Sequence, residues 1–202
     1  MLGSLVRLVE RAACGVKQRP PYRVSPAALD LHRRLTVIDL HADPLMWGRD
    51  LLARNAHGHV DVPRLIEGGV ALQVFSTVTH APLGINIRRN PTNRPDMITA
   101  LASASGWPAA TKTSRLARAL HQGRALQSHV DRSGGTFKRV LTRADLEQHV
   151  VKRKPGTTAG LLSIEGAQAF DGQLESIDTL YDAGVRMVGL THFVDNEVGG
   201  SA

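Results

Sequence analysis

Two stretches of the chain end in side chains that bind cations. Thr36-Val-Ile-Asp-Leu-His-Ala-Asp43 carries His41 and Asp43, and Gly160-Leu-Leu-Ser-Ile-Glu-Gly166 carries Glu165. Each is an apolar run that stops at a polar residue. His41 and Asp43 lie two apart, so on a strand they point to the same side. Glu165 adds a carboxylate from a different strand. A third apolar run, from Arg186 to Thr191, delivers His192. Imidazole and carboxylate together suit zinc, and carboxylates also suit manganese or magnesium. A carboxylate can bridge two cations, and Glu165 is the natural bridge. Two such ions would acidify a shared water and polarise a carbonyl, which is the chemistry of hydrolysis. His192 suits either of two roles: ligand of a second metal, or donor to a developing oxyanion.

Each of these residues also has a plainer role. Asp43 precedes Pro44 and suits a turn. Glu165, before Gly166, suits a cap, and His192 suits a core imidazole bonded to backbone. Their joint placement at the ends of apolar strands favours the metal reading. Six other histidines, His57, His59, His80, His121, His129 and His149, fall in loops or on polar helix faces and read as surface residues. His57 and His59 are the strongest exceptions. Other chemistries lack their residues. There is no Gly-x-Ser-x-Gly elbow, no Walker loop and no Gly-x-Gly-x-x-Gly after a strand. Cys14 lies ahead of all the strands, and a single cysteine excludes an intrachain disulfide.

The elements that must hold these residues alternate. Met1 to Val16 reads as a short amphipathic helix rather than a signal peptide. Residues 17 to 28 hold three prolines and read as a linker. Ser25 caps a helix over Pro26 to Arg34, and Leu35 to Leu40 forms a strand interrupted by Asp39. A polar loop covers residues 44 to 60. Asp61 caps a short helix with Pro63 in its first turn and Gly68 or Gly69 at its end. Val70 to Thr79 is β-branched and aromatic, hence a strand. Helices follow over Thr113 to Val130, where Gly123 weakens the pattern, and from Thr142, which opens a capping box with Asp145, to Val150. Then come a strand over Ala159 to Ile164, a helix ended by Gly184, and the strand leading to His192. Such alternation predicts a parallel sheet with helical crossovers, and functional residues at strand C-terminal ends fit the catalytic face of a barrel. The expected division is an extension and linker over residues 1–28 and one domain over residues 29–202.

Composition is that of a globular protein: of 202 residues, 42% are hydrophobic and 21% charged. No run approaches the roughly 18 apolar residues of a membrane span. The net charge of +7 is concentrated: residues 84 to 155 hold 14 Lys/Arg against 4 Asp/Glu. These cations are dispersed among helix-like polar positions, with Trp107 and Phe137 as the segment's aromatics, so a solvated basic surface is expected rather than a specific nucleic-acid site.

Taken together, the motifs resemble a known family. Val37-Ile-Asp-Leu-His-Ala-Asp-Pro44 and His59-Val-Asp-Val-Pro-Arg-Leu-Ile-Glu-Gly-Gly-Val-Ala-Leu-Gln-Val-Phe-Ser76 resemble the opening of the membrane (renal-type) dipeptidases, the M19 metallopeptidases. Gly160-Leu-Leu-Ser-Ile-Glu-Gly-Ala-Gln-Ala-Phe170 resembles their bridging-glutamate strand. Leu180-Tyr-Asp-Ala-Gly-Val-Arg-Met-Val-Gly-Leu-Thr-His192 and Asn196-Glu-Val-Gly-Gly-Ser-Ala202 resemble the next strand and loop. The resemblance runs from about residue 30 onward, in order. It implies a (β/α)8 TIM barrel with two zinc ions: His41 and Asp43 on the first, Glu165 bridging both, and a bridging hydroxide that attacks a dipeptide carbonyl. It implies that His192 binds substrate and helps stabilise the tetrahedral intermediate. Some relatives also open β-lactam rings or cleave dipeptides with a D-residue in second place.

Members of the family are longer, and their later strands supply two more histidine ligands, an arginine for the substrate carboxylate and an aspartate near the metal water. The expectation is therefore about the first four β/α units of such a barrel, from a truncated gene, a split product or part of a longer chain. The alternative is a non-catalytic remnant, or a half-barrel that needs a C-terminal half or a second copy. The absence of a signal or anchor motif favours the cytoplasm, although animal relatives are anchored outside the cell.

Overall fold

Pro-containing first turns and side-chain caps set the helix starts in this computed structural model, which describes residues 2–17, 21–86, 88 and 90–201, with residues 2–5 by backbone alone. Residues 18–20 of the expected linker lie outside it. Helix α1 covers Leu2–Ala13 and α2 covers Pro26–Arg34, where Ser25 Oγ accepts the Ala28 N–H at 3.2 Å. Strand β1 runs Val37–Ala42. Asp61 accepts the Arg64 N–H at 2.9 Å to start α3, Val62–Glu67. Strand β2, Val70–Val78, is buried along almost its whole length. Helices α4 (Met97–Ala104) and α5 (Arg115–Arg132) follow. The Thr142–Asp145 capping box forms as expected and opens α6, Arg143–Lys152. Strand β4 is Thr158–Glu165, α7 is Glu175–Asp182, and β5 is Val185–Gly189.

One strand departs from the sequence reading. Phe137–Arg139 forms a short strand, β3, where periodicity predicts only a connection between helices. Three residues are too few to show an alternation. What fixes the strand is the burial of Phe137 against Phe75, ring centroids 5.6 Å apart and edge-on.

All pairings in the five-stranded sheet are parallel. The order is β1-β2-β4, and the far edge of β4 is shared. Thr158 to Gly160 face β3, and Leu162 to Glu165 face β5. Helical crossovers on a parallel sheet bury it, which is why β2 and β4 read as nearly continuous apolar runs. Phe75 and Leu162 are register partners, both wholly buried, and belong to one core with Ala119, Leu126, Phe137 and Leu180. Gly160 makes room for that core: a Cβ there would stand 2.7 Å from Phe137 Cζ and 3.1 Å from a Phe75 ring carbon. The outer strands are less covered. Ile38 and Leu40 on β1, and Met187 and Val188 on β5, remain exposed.

Several loop residues are more buried than their polarity suggests. Residues 44 to 60 are not simply a polar loop, because Leu45 and Leu51 enter the core. His80, His129 and His149, expected at the surface, are all buried. His129 sits between backbone groups, with Nε2 3.1 Å from the Leu51 nitrogen and Nδ1 2.7 Å from the Ala125 oxygen. His149 Nε2 lies 2.8 Å from the Ala71 oxygen. The His129 imidazole, which meets backbone groups on both sides, costs little to bury, and a helical polar pattern does not reveal that.

Candidate metal centre

His41, Asp43 and Glu165 converge. One ligand atom from each lies within 4.8 Å of the other two, and among the described residues this is the cluster of such groups able to hold an ion. His41 is the next-to-last residue of β1, where the ladder to β2 slips between Asp39 and Ala42. Asp39, which interrupts the apolar run in sequence, accepts the His41 N–H at 3.0 Å and so shapes that slip. Asp43 is the first residue past the strand. Glu165 is the last residue of β4, beside Val78 of β2 and Gly189 of β5 in register. Alternation along β4 points Glu165 away from the face that carries Leu162 and Ile164.

The geometry is close. His41 Nε2 lies 2.5 Å from Glu165 Oε1 and 3.3 Å from Asp43 Oδ1. His192, three residues beyond β5, stands on the other side, with Nε2 3.3 Å from Glu165 Oε2. The two carboxylate oxygens thus face two different imidazoles. The turn after β4 is held in place from both ends: Gln168 Nε2 donates to the Glu165 carbonyl at 2.9 Å, and the Ala167 N–H donates to the Leu190 carbonyl at 2.9 Å. Asn196 Nδ2 donates to Gln168 Oε1 at 3.2 Å and to the Leu190 oxygen at 2.7 Å, linking the loops after β4 and β5. Gly166, at φ 82°, makes the turn that leaves Glu165 at its strand end.

Electrostatically the cluster has an excess of negative charge for its burial. Burial, and then the neighbouring Asp43 carboxylate, push the Glu165 carboxyl up to about 8. Burial pulls the His192 imidazole below its ordinary value, which favours a neutral ring. Asp43 Oδ1 is buried, and its 3.3 Å approach to the His41 imidazole is not aligned as a hydrogen bond. A cation would relieve all of this at once. Mixed imidazole and carboxylate donors fit zinc or a comparable divalent ion, so the residues present suit a metal.

His57 and His59 do not join the cluster. His57 Nε2 is 3.2 Å from Glu10 Oε2, and His59 lines a cavity that also touches Asp43. Glu10 and Arg49 give no signal in sequence, since a buried charge on a helix face and its partner in a loop share no spacing.

A profile of the membrane dipeptidases, peptidase family M19, matches residues 26–202. The chain belongs to that family. No protein of curated function matches it in sequence. Among solved structures it is similar to dipeptidase AC, a metallopeptidase of family M19, at 23% identity and TM-score 0.55, over 78% of this chain and 43% of that one. It is also similar to a Rhodobacter sphaeroides metallopeptidase, solved with a phosphinate mimic of the dipeptide L-Ala-D-Ala, at 21% identity and TM-score 0.54, over 78% of this chain and 45% of that one. The probable dipeptidase PvdM of Pseudomonas aeruginosa matches at 16% identity and TM-score 0.56, over 84% of this chain and 38% of that one. The chain thus spans under half the length of these proteins. Its parallel sheet and crossover helices match part of an M19-type barrel. Among the described residues, no helix is long and apolar enough to cross a membrane.

Proposed function

We propose that this chain carries half of the metal centre of a zinc-dependent dipeptidase. The observation that carries the proposal is the convergence of His41, Asp43 and Glu165 at strand ends in a chain of the M19 family. His41 and Asp43 would hold one zinc ion, and Glu165 would be shared between that ion and a second. Bound there, zinc supplies a Lewis acid that polarises a carbonyl and acidifies water. His192 lies beside Glu165 with its ring biased to the neutral form. It would donate a ring proton to the carbonyl oxygen as charge develops there. The loops tied by Gln168 and Asn196 keep His192 and Glu165 in register, so that positioning costs little at the moment of reaction.

The substrate class is a dipeptide, and the ligand of the Rhodobacter sphaeroides relative favours one with a small D-residue in second place. In the complete protein, Glu165→Gln should abolish zinc-dependent hydrolysis of Gly-Leu or Ala-Ala. Retained hydrolysis would overturn the assignment.

A second reading rests on Ile38, Leu40, Met187 and Val188, whose exposure leaves both sheet edges open. The remaining barrel strands, on the same polypeptide or on a partner, would cover these edges and complete the ligand set. On this reading the 202-residue chain binds metal but turns over no dipeptide alone. Turnover by the isolated chain would remove it.

A further inference from the structure

The N-terminal helix lies outside the family-matched residues 26–202, yet its attachment is specific. Glu10 is 2% exposed, and its carboxylate is sunk into the β1–α3 loop. Arg49 Nε lies 2.5 Å from Glu10 Oε1, and His57 Nε2 lies 3.2 Å from Oε2. The Arg49 side chain is itself 8% exposed and bonds the His57 carbonyl at 3.1 Å. Just beyond the helix, the Gly58 N–H donates to the Cys14 carbonyl at 2.8 Å. A buried ion pair with added hydrogen bonds fixes one geometry strongly, because loss of either partner strands the other charge.

What this attachment builds is a cavity of about 330 Å³ beside the metal cluster. Ala13 and Cys14 line it together with Asp43, Trp47 and His59. Asp43 is thus shared between the ion cluster and a space closed on one side by the extension. The volume is at the low end for small-molecule sites. The lining mixes the Cys14 thiol and the Ala13 methyl group with the Trp47 indole, the His59 imidazole and the charged Asp43 and Arg49, and its small volume suits a short side chain rather than a long one.

We propose that Ala13 and Cys14, at the end of α1, are a built-in wall of the substrate pocket, anchored by Glu10 on Arg49 and His57, and that Cys14 limits the size of the dipeptide side chain admitted next to Asp43. The proposal rests on the dipeptidase reading for the identity of the ligand, but not for the docking of the extension.

The test uses the complete protein with its full ligand set, loaded with zinc, and two variants, Glu10→Ala and Cys14→Trp. Iodoacetamide should alkylate Cys14 roughly tenfold or more faster in Glu10→Ala than in the parent, because an uncompensated buried Arg49 releases the wall. Zinc together with a phosphinate mimic of L-Ala-D-Ala should slow alkylation in the parent. Cys14→Trp should weaken phosphinate binding by about tenfold or more while zinc affinity stays within about twofold. Equal alkylation rates in the parent and Glu10→Ala would overturn the docking. Phosphinate binding unchanged by Cys14→Trp, or no slowing of alkylation by the phosphinate, would overturn the pocket role. Failure of the dipeptidase reading looks different: His41→Ala would then leave zinc binding unaltered, and the effect of Glu10→Ala on alkylation would persist.

Discussion

Glu165 Oε1 stands 2.5 Å from His41 Nε2, although the strands that carry them, β4 and β1, are not neighbours. Strand β2 lies between them, and its last residue, Val78, is the register partner of Glu165. The contact therefore depends on both side chains reaching past β2 at the end of the sheet. Strand ends of a parallel sheet are where such residues from separate strands can meet without crossing the core. The price of the arrangement is a buried carboxylate beside a second carboxylate, and a cation removes it.

That cost makes metal binding visible in stability. Zinc at about a hundred times its dissociation constant should stabilise the chain by about 2.7 kcal/mol, a rise of about 5–10 °C in Tm for a domain of this size. Thermal unfolding with zinc and with a chelator measures it. Glu165→Gln should leave the chelated protein within about 1 kcal/mol of the parent and lose most of the zinc-dependent rise. A zinc-dependent rise in Glu165→Gln as large as in the parent would remove Glu165 from the site.

Much of this was legible in sequence because the signals were local. Ser25, Asp61 and Thr142 cap helices through side chains a few residues from their targets. His41, Asp43, Glu165 and His192 each end an apolar run, so strand polarity alone places them on one rim. The rest depended on contacts between distant segments. Asp39 reads as an interruption, and its bond to the His41 N–H is seen only once β1 is paired. Phe137 looks like an isolated aromatic until Phe75 and the missing Cβ of Gly160 are placed around it. Gly123 weakens the helix pattern, yet a Cβ there would be 3.1 Å from Leu162 Cδ2, so its absence is what lets α5 lie close to β4.

The loop between β2 and α4 should be sensitive to acid. Burial works against ionisation of Asp96, but bonds from His80, the Ala81 N–H and Arg118 outweigh it and hold the carboxyl far below the usual carboxylate range. Arg118 is buried, bonds Asp96, and donates to the Thr79 carbonyl at 2.6 Å. The folded value lies below the unfolded one of about 3.9, so the stabilisation is complete above that pH and fades as pH falls below it. Urea unfolding between neutral pH and pH 2 should show the loss, and Asp96→Asn should flatten it. At neutral pH the same variant strands Arg118 and should cost about 3–5 kcal/mol. An unchanged acid limb in Asp96→Asn would show that other carboxylates dominate.

Packing around Gly160 predicts a larger effect than one methyl group suggests. A Cβ at that position would lie 2.7 Å and 3.0 Å from two Phe137 ring atoms, and the wholly buried Phe75 closes the other side. Gly160→Ala should destabilise by about 1–3 kcal/mol through overpacking. Phe137→Leu removes the ring edge that the new methyl group meets. In combination, the two substitutions should cost less than the sum of the single effects, by about 0.5 kcal/mol or more. Strict additivity in denaturant midpoints would mean that the strain is relieved by backbone movement instead.

His129 ties the loop after β1 to helix α5, and its proton inventory sets a second pH window. Nε2 must accept from the Leu51 N–H, so the proton of the neutral ring sits on Nδ1 and is donated to the Ala125 carbonyl. Burial is the main cause that lowers its pKa. A lowered folded value means that the unfolded chain takes up the proton first. Stability contributed by His129 is therefore present above about 6.5 and falls as pH drops below that toward the folded value. His129→Ala should remove this limb and cost about 1–3 kcal/mol at neutral pH, because the Leu51 N–H is left buried without an acceptor. His129→Gln, which can offer an oxygen to that N–H but does not titrate, should recover part of the neutral-pH stability and none of the pH dependence between about pH 5 and 7. If the slope in that range survives in both variants, it belongs to His121, His149 or His192, whose values burial also lowers, rather than His129.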